Sequence, residues 1–334
     1  MPIVRLDSTD PYLNLAIEER ALSESGNADE PTLLLWISDP AIVIGRHQNP
    51  WQECRPRHLD DANILLARRI SGGGAVYHDH GNLNISFIAS SDIYDQTRQF
   101  DIVIRALASL GVAAAHTNRN DIVVNHNGRR LKISGSAFRH TRGRSLHHAT
   151  LLVTADLDAL RTSLTPAFTG ISSAAIQSVR SSVCNLSELH PGLTVDEVSA
   201  AVSSCFAMEY ATKHSNEHTG TDSPLVAPRR WPTDADLVGR RNELARWEWI
   251  YGRTPPFTAR FDDVPGFGAV TLTVRKAVVV DVAVGPSAGG ATDTALFRHL
   301  VGRRFDSGTF RDLTRGIDDD AVRLAVLFLA EEIA

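Results

Sequence analysis

Two segments of this 334-residue chain combine residue types that suit chemistry on anions. The first is Arg68-Arg69-Ile70-Ser71-Gly72-Gly73-Gly74-Ala75-Val76-Tyr77. Three consecutive glycines let backbone N–H groups close on a ligand and point at its negative charge. The arginines add charge-assisted donors for phosphate or carboxylate, and Ser71 adds a hydroxyl. No Gly-Lys-Ser or Gly-Lys-Thr follows, so this is not a Walker A loop, and the GxGxxG dinucleotide pattern is also absent. A flexible turn between two strands is the other reading of these residues.

The second segment is Arg129-Arg130-Leu131-Lys132-Ile133-Ser134-Gly135-Ser136-Ala137. Strand alternation predicts Arg130, Lys132 and Ser134 on one face. Six basic residues and no acidic one lie between Arg129 and Arg144. A solvated basic face accounts for such a run, but lysine usage argues for more. The chain has three lysines, Lys132, Lys213 and Lys276, and the rest of its 34 basic side chains are arginines. Lys132 sits beside small residues that leave room for a ligand. A compact ammonium fits between a carboxylate and a phosphate where a planar guanidinium is bulkier and differently directed.

Other candidates are weaker. His78-Asp79-His80 and His147-His148 are possible metal ligands, with His78 and His80 on one strand face, but no Cys/His set with zinc spacing accompanies them. A structural or substrate-lining role suits them better. Cys54, Cys184 and Cys205 are widely spaced, lack an adjacent His, and read as reduced core thiols. Trp231, Trp247, Trp249 and Phe257 read as packing between domains.

The elements that must position these residues follow from pattern. Apolar runs at 33–37 and 41–44 predict two strands around a Ser38-Asp39-Pro40 turn, and 64–67 and 83–88 predict two more. Residues 99–110 have helical spacing and end at Gly111. Asn125-His126-Asn127-Gly128 between apolar runs predicts a hairpin. A strand at 147–153 and a helix at 157–164 follow. Thr194-Val195-Asp196-Glu197 has the form of a capping box that opens a helix to about Tyr210. The chain turns polar from 211 to 231. Strands at 257–262, 269–275 and 277–283, then helices at 291–303 and 319–333, predict a small α+β domain.

Composition is that of a globular protein: 43% hydrophobic, 22% charged, with a net charge of -5 and a pI of about 6.2. This balance does not suit a nucleic-acid coat, and no nucleic-acid partner is expected. No apolar run approaches the roughly 20 residues of a membrane span. The N-terminus has neither a secretory nor a transit-peptide pattern. A soluble, cytoplasmic enzyme without a membrane partner is the expectation.

The sequence also resembles the lipoate–protein ligase family along most of its length. The matching stretches are Tyr12 to Glu19, Val43-Ile44-Gly45-Arg46-His47-Gln48-Asn49-Pro50-Trp51, Ala67 to Val76, Arg119-Asn120-Asp121, Lys132 to Ala137, His147-His148 and Trp247 to Gly252. The triple-glycine segment together with Lys132-Ile133-Ser134-Gly135-Ser136-Ala137 is the specific part. Tyr77 and Phe138 are aromatic exchanges within the family's range. The glycine-loop form expected of biotin ligases is absent.

The resemblance implies an α/β (α+β) architecture: a mixed β-sheet catalytic domain like that of biotin and lipoate ligases, over residues 1–246, with a polar linker region at about 211–246. A small α+β accessory domain would span 247–334. It implies activation of lipoate by ATP to lipoyl-AMP, then transfer to a lysine of an acceptor. Implied acceptors are the lipoyl domains of 2-oxo acid dehydrogenase acyltransferase subunits and the glycine-cleavage H protein. Lys132 would be catalytic, touching both the lipoyl carboxyl and the α-phosphate. Arg69, Gly74, Ala75, Val76, Tyr77 and Asp121 would bind the nucleotide, with Asp121 a candidate for holding Mg²⁺. Arg69, Ser71, Gly73, Trp36, His78 and His148 would join Lys132 around lipoate. A lipoyltransferase that uses preformed lipoyl-AMP, or relays lipoyl from another protein, is the alternative.

Overall fold

The computed structural model describes residues 2–24, 30–166, 168–211, 234–285 and 294–334. Its strands are β1 (Ile3–Arg5), β2 (Thr32–Trp36), β3 (Ala41–Ile44), β4 (Leu65–Arg68), β5 (Val76–His78), β6 (Asn82–Ser90), β7 (Ala114–His116), β8 (Asp121–His126), β9 (Arg129–His140), β10 (Arg144–Leu152), β11 (Ile171–Ser173), β12 (Phe257–Val264), β13 (Gly268–Arg275) and β14 (Val278–Val284). They form a seven-stranded sheet in the order β1-β2-β6-β10-β9-β8-β7, a three-stranded sheet β4-β3-β5, and a four-stranded sheet β11-β12-β13-β14.

β6 is an inner strand of the seven, and every one of its nine residues is buried. Alternation sorts its side chains. Leu83, Ile85 and Phe87 join an apolar core with Phe100, Val103 and Phe206, from the helices Gln96–Ser109 and Val195–Tyr210. Asn82, Asn84 and Ser86 are the residues of the opposite parity, and they are buried as well. On that side lies a second core that holds Leu15 and Ile17 of the helix Pro11–Ser23 together with β3 residues. Asp10 starts this helix by accepting from the N–H groups of Tyr12 and Leu13, and Pro11 occupies its first turn.

The β8–β9 hairpin turns at Asn127 and Gly128, with φ values of 51° and 72°. Positive φ at both central residues is the two-residue turn that matches strand twist, as the Asn-Gly pair predicts. Further along, Ile122 pairs Ser134 but Val123 pairs Lys132, so the register shifts. The extra residue reverses side-chain parity there. Lys132 and Ser134 nonetheless line one cavity; Ser134 is buried, and Lys132 lies over Gly135, where a Cβ would come within 2.8 Å of Nζ.

The small C-terminal sheet, with the helices Ser307–Leu313 and Asp320–Glu332, encloses a third core. Residues 294–300 form a 3₁₀ segment rather than the expected α-helix. Two earlier pieces of the chain also enter this unit. β11 pairs β12, and the buried Trp51 packs against Trp247, Tyr251, Phe257 and Phe305. Trp249 packs elsewhere and donates to the Arg68 carbonyl at 2.7 Å. Within the polar stretch assigned to a linker, Ala235–Leu244 is a helix whose Leu237 and Leu244 enter the core around Pro11–Ser23. Residues 212–233 of that stretch, with Trp231 and Lys213, lie outside the described residues. No helix among the described residues is long and apolar enough to cross a membrane.

Candidate active site

A cavity of about 440 Å³ opens between the glycine loop, β9, β10 and the helix Pro11–Ser23. Trp36, Arg69, Gly73, His78, Lys132 and His148 all line it, so one site gathers residues from across the N-terminal half. A second cavity, of about 600 Å³, holds Tyr77 and Ser134. The two cavities share Ala75, Val76, Lys132 and Gly135. Lys132 Nζ pairs with Asp121 Oδ1 at 2.8 Å, and both side chains are partly exposed. The Lys132 backbone is pinned separately: its N–H donates to Ser182 O at 2.9 Å and its carbonyl accepts from Cys184 N–H at 3.2 Å.

Arg69 is placed differently from the expectation of a free anion donor. It is 4% exposed. Its Nε donates to Ser71 Oγ at 3.0 Å and Nη1 to Val43 O at 2.8 Å. Nη2 donates to the carbonyls of Gly72, at 2.6 Å, and Gly74, at 2.7 Å. Burial lowers its pKa to about 10. Arg69 therefore ties the glycine loop from beneath. Gly73, at φ +86°, lies so close that a Cβ would come within 2.9 Å of Arg69 Nη2. Gly45 faces the loop from the other side: its Cβ would stand 2.2 Å from the Gly73 carbonyl oxygen.

Ser71 is fully buried and does not line the cavity. It belongs to a chain of hydrogen bonds whose directions can be assigned from the network. Arg69 Nε donates to Ser71, Ser71 donates to His148 Nε2 at 2.7 Å, and His148 Nδ1 donates to Glu18 Oε2 at 3.2 Å. Ser86 donates to the other Glu18 oxygen and accepts from Trp36 Nε1 at 3.4 Å. Glu18 is 2% exposed and was missed as a site residue. Its place among the apolar residues Leu15, Ala16, Ile17, Ala21 and Leu22 was the available signal. Ser178 was also missed, with no local signal. Its hydroxyl accepts from Ala75 N–H at 2.7 Å and from Gln48 Nε2 at 3.1 Å. Its own N–H donates to the buried Glu53 at 3.1 Å.

The histidine pairs separate. His78 is buried in the cavity, whereas His80 sits in a turn and meets Asp39 at 2.9 Å on the surface. His147 is enclosed by Phe87, Phe100 and Phe138. Among the described residues, no group of three or more His, Cys, Asp or Glu side chains suits a metal ion. The basic run also divides. Arg129 and Arg130 stand at one end of β9. Arg139, Arg142 and Arg144 line a separate groove of about 920 Å³ with Arg46 and Arg253, roughly 30 Å from Arg129 at the rise of a strand.

The sequence pattern of the lipoyl protein ligase A/B catalytic domain matches residues 10–207, the span that builds both cavities. The chain belongs to that family. Solved members share its fold. The lipoate complex of LipL1 from P. falciparum is 24% identical, with a TM-score of 0.63 over 98% of this chain and 100% of that one. The bipartite lipoate protein ligase of Thermoplasma acidophilum, described with its E2 lipoyl domain, is 25% identical, with a TM-score of 0.57 over 75% of this chain and 94% of that one. A lipoate-protein ligase A bound with ATP is 27% identical, with a TM-score of 0.55 over 73% of this chain and 94% of that one. This lipoyl protein ligase family member carries its glycine loop, Lys132, Trp36 and His148 inside the matched span.

Proposed function

We propose that this chain is an ATP-dependent lipoate–protein ligase that forms lipoyl-AMP and passes the lipoyl group to an acceptor lysine. The observation that carries this is the seat of Lys132 on the wall common to two cavities. An ammonium there meets the carboxylate of an acyl chain in one cavity and the α-phosphate of a nucleotide in the other. The apolar and aromatic lining around Trp36 suits the acyl chain. The Gly74-Ala75-Val76-Tyr77 segment suits the nucleotide, with Arg69 acting on it through the loop it ties. Ligand-bound relatives, one with lipoate and one with ATP, support the reading.

In the first step a lipoate carboxylate oxygen attacks the α-phosphorus and pyrophosphate leaves. Two anions approach each other, and a fixed cation at Lys132 offsets their repulsion most where charge is densest, in the transition state. Asp121 is the carboxylate nearest this point and is the candidate to hold Mg²⁺ with the phosphates, since that ion usually takes one or two protein carboxylates and keeps several waters. Bound Mg²⁺ would supply further charge neutralisation. In the second step the acceptor amine, having lost its proton, attacks the acyl carbon and AMP leaves. The T. acidophilum relative described with its E2 lipoyl domain supports lipoyl domains as acceptors, and the glycine-cleavage H protein belongs to the same acceptor class by resemblance. We assign catalysis to residues 1–246 and the accessory role to 247–334. The test is pyrophosphate release from ATP and lipoate, followed by lipoyl transfer to an apo lipoyl domain. Absence of both overturns the proposal.

A further inference from the structure

Arg68 ends β4 and is 1% exposed. Its guanidinium makes five hydrogen bonds, and none of them is to a carboxylate. Nε donates to Ile250 O at 2.7 Å and Nη2 to Thr254 Oγ1 at 3.0 Å. Both acceptors belong to the C-terminal segment. Ile250 is the last residue of the helix Trp247–Ile250, where carbonyls lack partners within the helix. Nη1 donates to three carbonyls of one turn, those of Gly45 and Arg46 at 3.1 Å and that of Gln48 at 2.9 Å. The Arg68 carbonyl accepts from Trp249 Nε1, so backbone and side chain hold the same segment.

Taking a guanidinium out of water is costly. Burial lowers the Arg68 pKa to about 10, which leaves it charged at neutral pH. Its hydrogen bonds offset that cost only while both sides are seated, because a buried charged donor left without a partner is expensive. The planar fork also fixes directions that an ammonium does not. From the turn at 45–48 a second set of bonds runs to the nucleotide side. Gln48 is fully buried. Its Oε1 accepts from Gly45 N–H at 2.8 Å, and its Nε2 donates to Ser178 Oγ at 3.1 Å. Ser178 Oγ accepts from Ala75 N–H at 2.7 Å, and Ala75 lines both cavities. Arg46 N–H donates to Ser71 O at 2.8 Å, at the head of the glycine loop.

We propose that Arg68 is a positioning residue that makes the geometry of the nucleotide segment at Ala75 depend on the seat of the C-terminal segment at Ile250 and Thr254. The inference rests on the proposed nucleotide site and adds what sets its shape. Arg68 and Thr254 line neither of the two cavities, so they act through Gln48 and Ser178 and touch no substrate. Trp36 and His78, on the lipoate side, have no bond in this path.

The test is calorimetric binding of ATP with Mg²⁺, and separately of lipoate, to the full chain, with thermal melts in parallel. Thr254→Val keeps size and removes the hydroxyl that Nη2 uses. It should weaken ATP by about tenfold, the lower end of what a hydrogen bond to a charged group carries, and leave lipoate within about twofold. Thr254→Ser restores the hydroxyl and should restore the ATP affinity. A merely structural role lowers the fraction of chain that binds and leaves the affinity of the folded fraction unchanged. Ser178→Ala cuts the same path at its partly exposed end, should weaken ATP similarly, and provides the reading if Thr254→Val does not fold. Because the two sites share one path, the double variant should lose no more than about threefold beyond the larger single loss, whereas independent effects multiply. Wild-type ATP affinity in folded Thr254→Val or in Ser178→Ala, equal weakening of both ligands, or multiplied losses in the double variant would overturn the proposal. A wild type that binds ATP but releases no pyrophosphate defeats the ligase reading alone, and one that binds no ATP defeats both.

Discussion

Gly135→Ala separates the position of Lys132 from the stability of the fold. A Cβ on Gly135 would lie 2.8 Å from Lys132 Nζ and 3.0 Å from its Cε. Ordinary contact needs about 3.5–4.0 Å, so the ammonium must move by ~1 Å. The obstacle is the far end of a flexible side chain, and the Gly135 φ is not in the left-handed region, so the backbone has no reason to shift. Replacing glycine at a compatible position stabilises by about 0.4–1 kcal/mol through the unfolded chain. Loss of the partly exposed Lys132–Asp121 pair removes about 0–1 kcal/mol. These offset, and the melting temperature should stay within about 3 °C of wild type. A displacement of ~1 Å in the reacting geometry costs about 100-fold in rate. The assay is pyrophosphate release at saturating lipoate and ATP, with a thermal melt in parallel. Gly45→Ala is the contrast, because its Cβ would meet a backbone oxygen at 2.2 Å, and there both rate and melting temperature should fall. A Gly135→Ala enzyme within about threefold of the wild-type rate refutes the assignment of Lys132 to the transition state.

Lys132→Ala should lower pyrophosphate release by about 10²–10³-fold with an unchanged melt, and Lys132→Arg should restore little of it; stopped-flow or end-point pyrophosphate assays read both. Acid should destabilise the fold through His78 and His147, whose pKa values burial lowers to about 3. The unfolded state binds protons first, from about pH 6.5 downward, so stability is intact above that pH and is lost as pH falls toward 3. Each imidazole accounts for about 2 kcal/mol at pH 5, and denaturant titrations of His147→Phe should show a flatter dependence over that range. Replacing Arg139, Arg142 and Arg144 together should slow transfer to an acidic lipoyl domain and weaken its salt dependence while sparing adenylation. Equal loss in both half-reactions would assign these arginines to the nucleotide site.

Much of this arrangement was legible in the sequence, for local reasons. The Asn127-Gly128 turn, the Thr194–Glu197 cap and the strands read from apolar runs at 33–37, 41–44, 64–67 and 83–88 are encoded by neighbouring residues, and each appears close to where its pattern predicts. What was not legible depends on contacts between distant segments. A single extra residue opposite Ile122–Val123 shifts the β8–β9 register, and a strand read in isolation carries no sign of it. Ser71 has the chemistry of a ligand contact, yet its hydroxyl is used between Arg69 and His148. Trp51 and β11 join the C-terminal core because apolar surface there needs cover, which no local pattern announces. Glu18 was visible only as a glutamate among apolar helical neighbours, and its meaning came from Ser86 and His148 on two strands.

The central claim is that this chain makes its own acyl-adenylate. Free lipoate, ATP and Mg²⁺, with no acceptor present, should release pyrophosphate and accumulate lipoyl-AMP, because Lys132 gives carboxylate and α-phosphate a common partner. Transfer of the lipoyl group from supplied lipoyl-AMP to an apo lipoyl domain, with no pyrophosphate released from ATP under matched conditions, would contradict the claim and make the chain a lipoyltransferase.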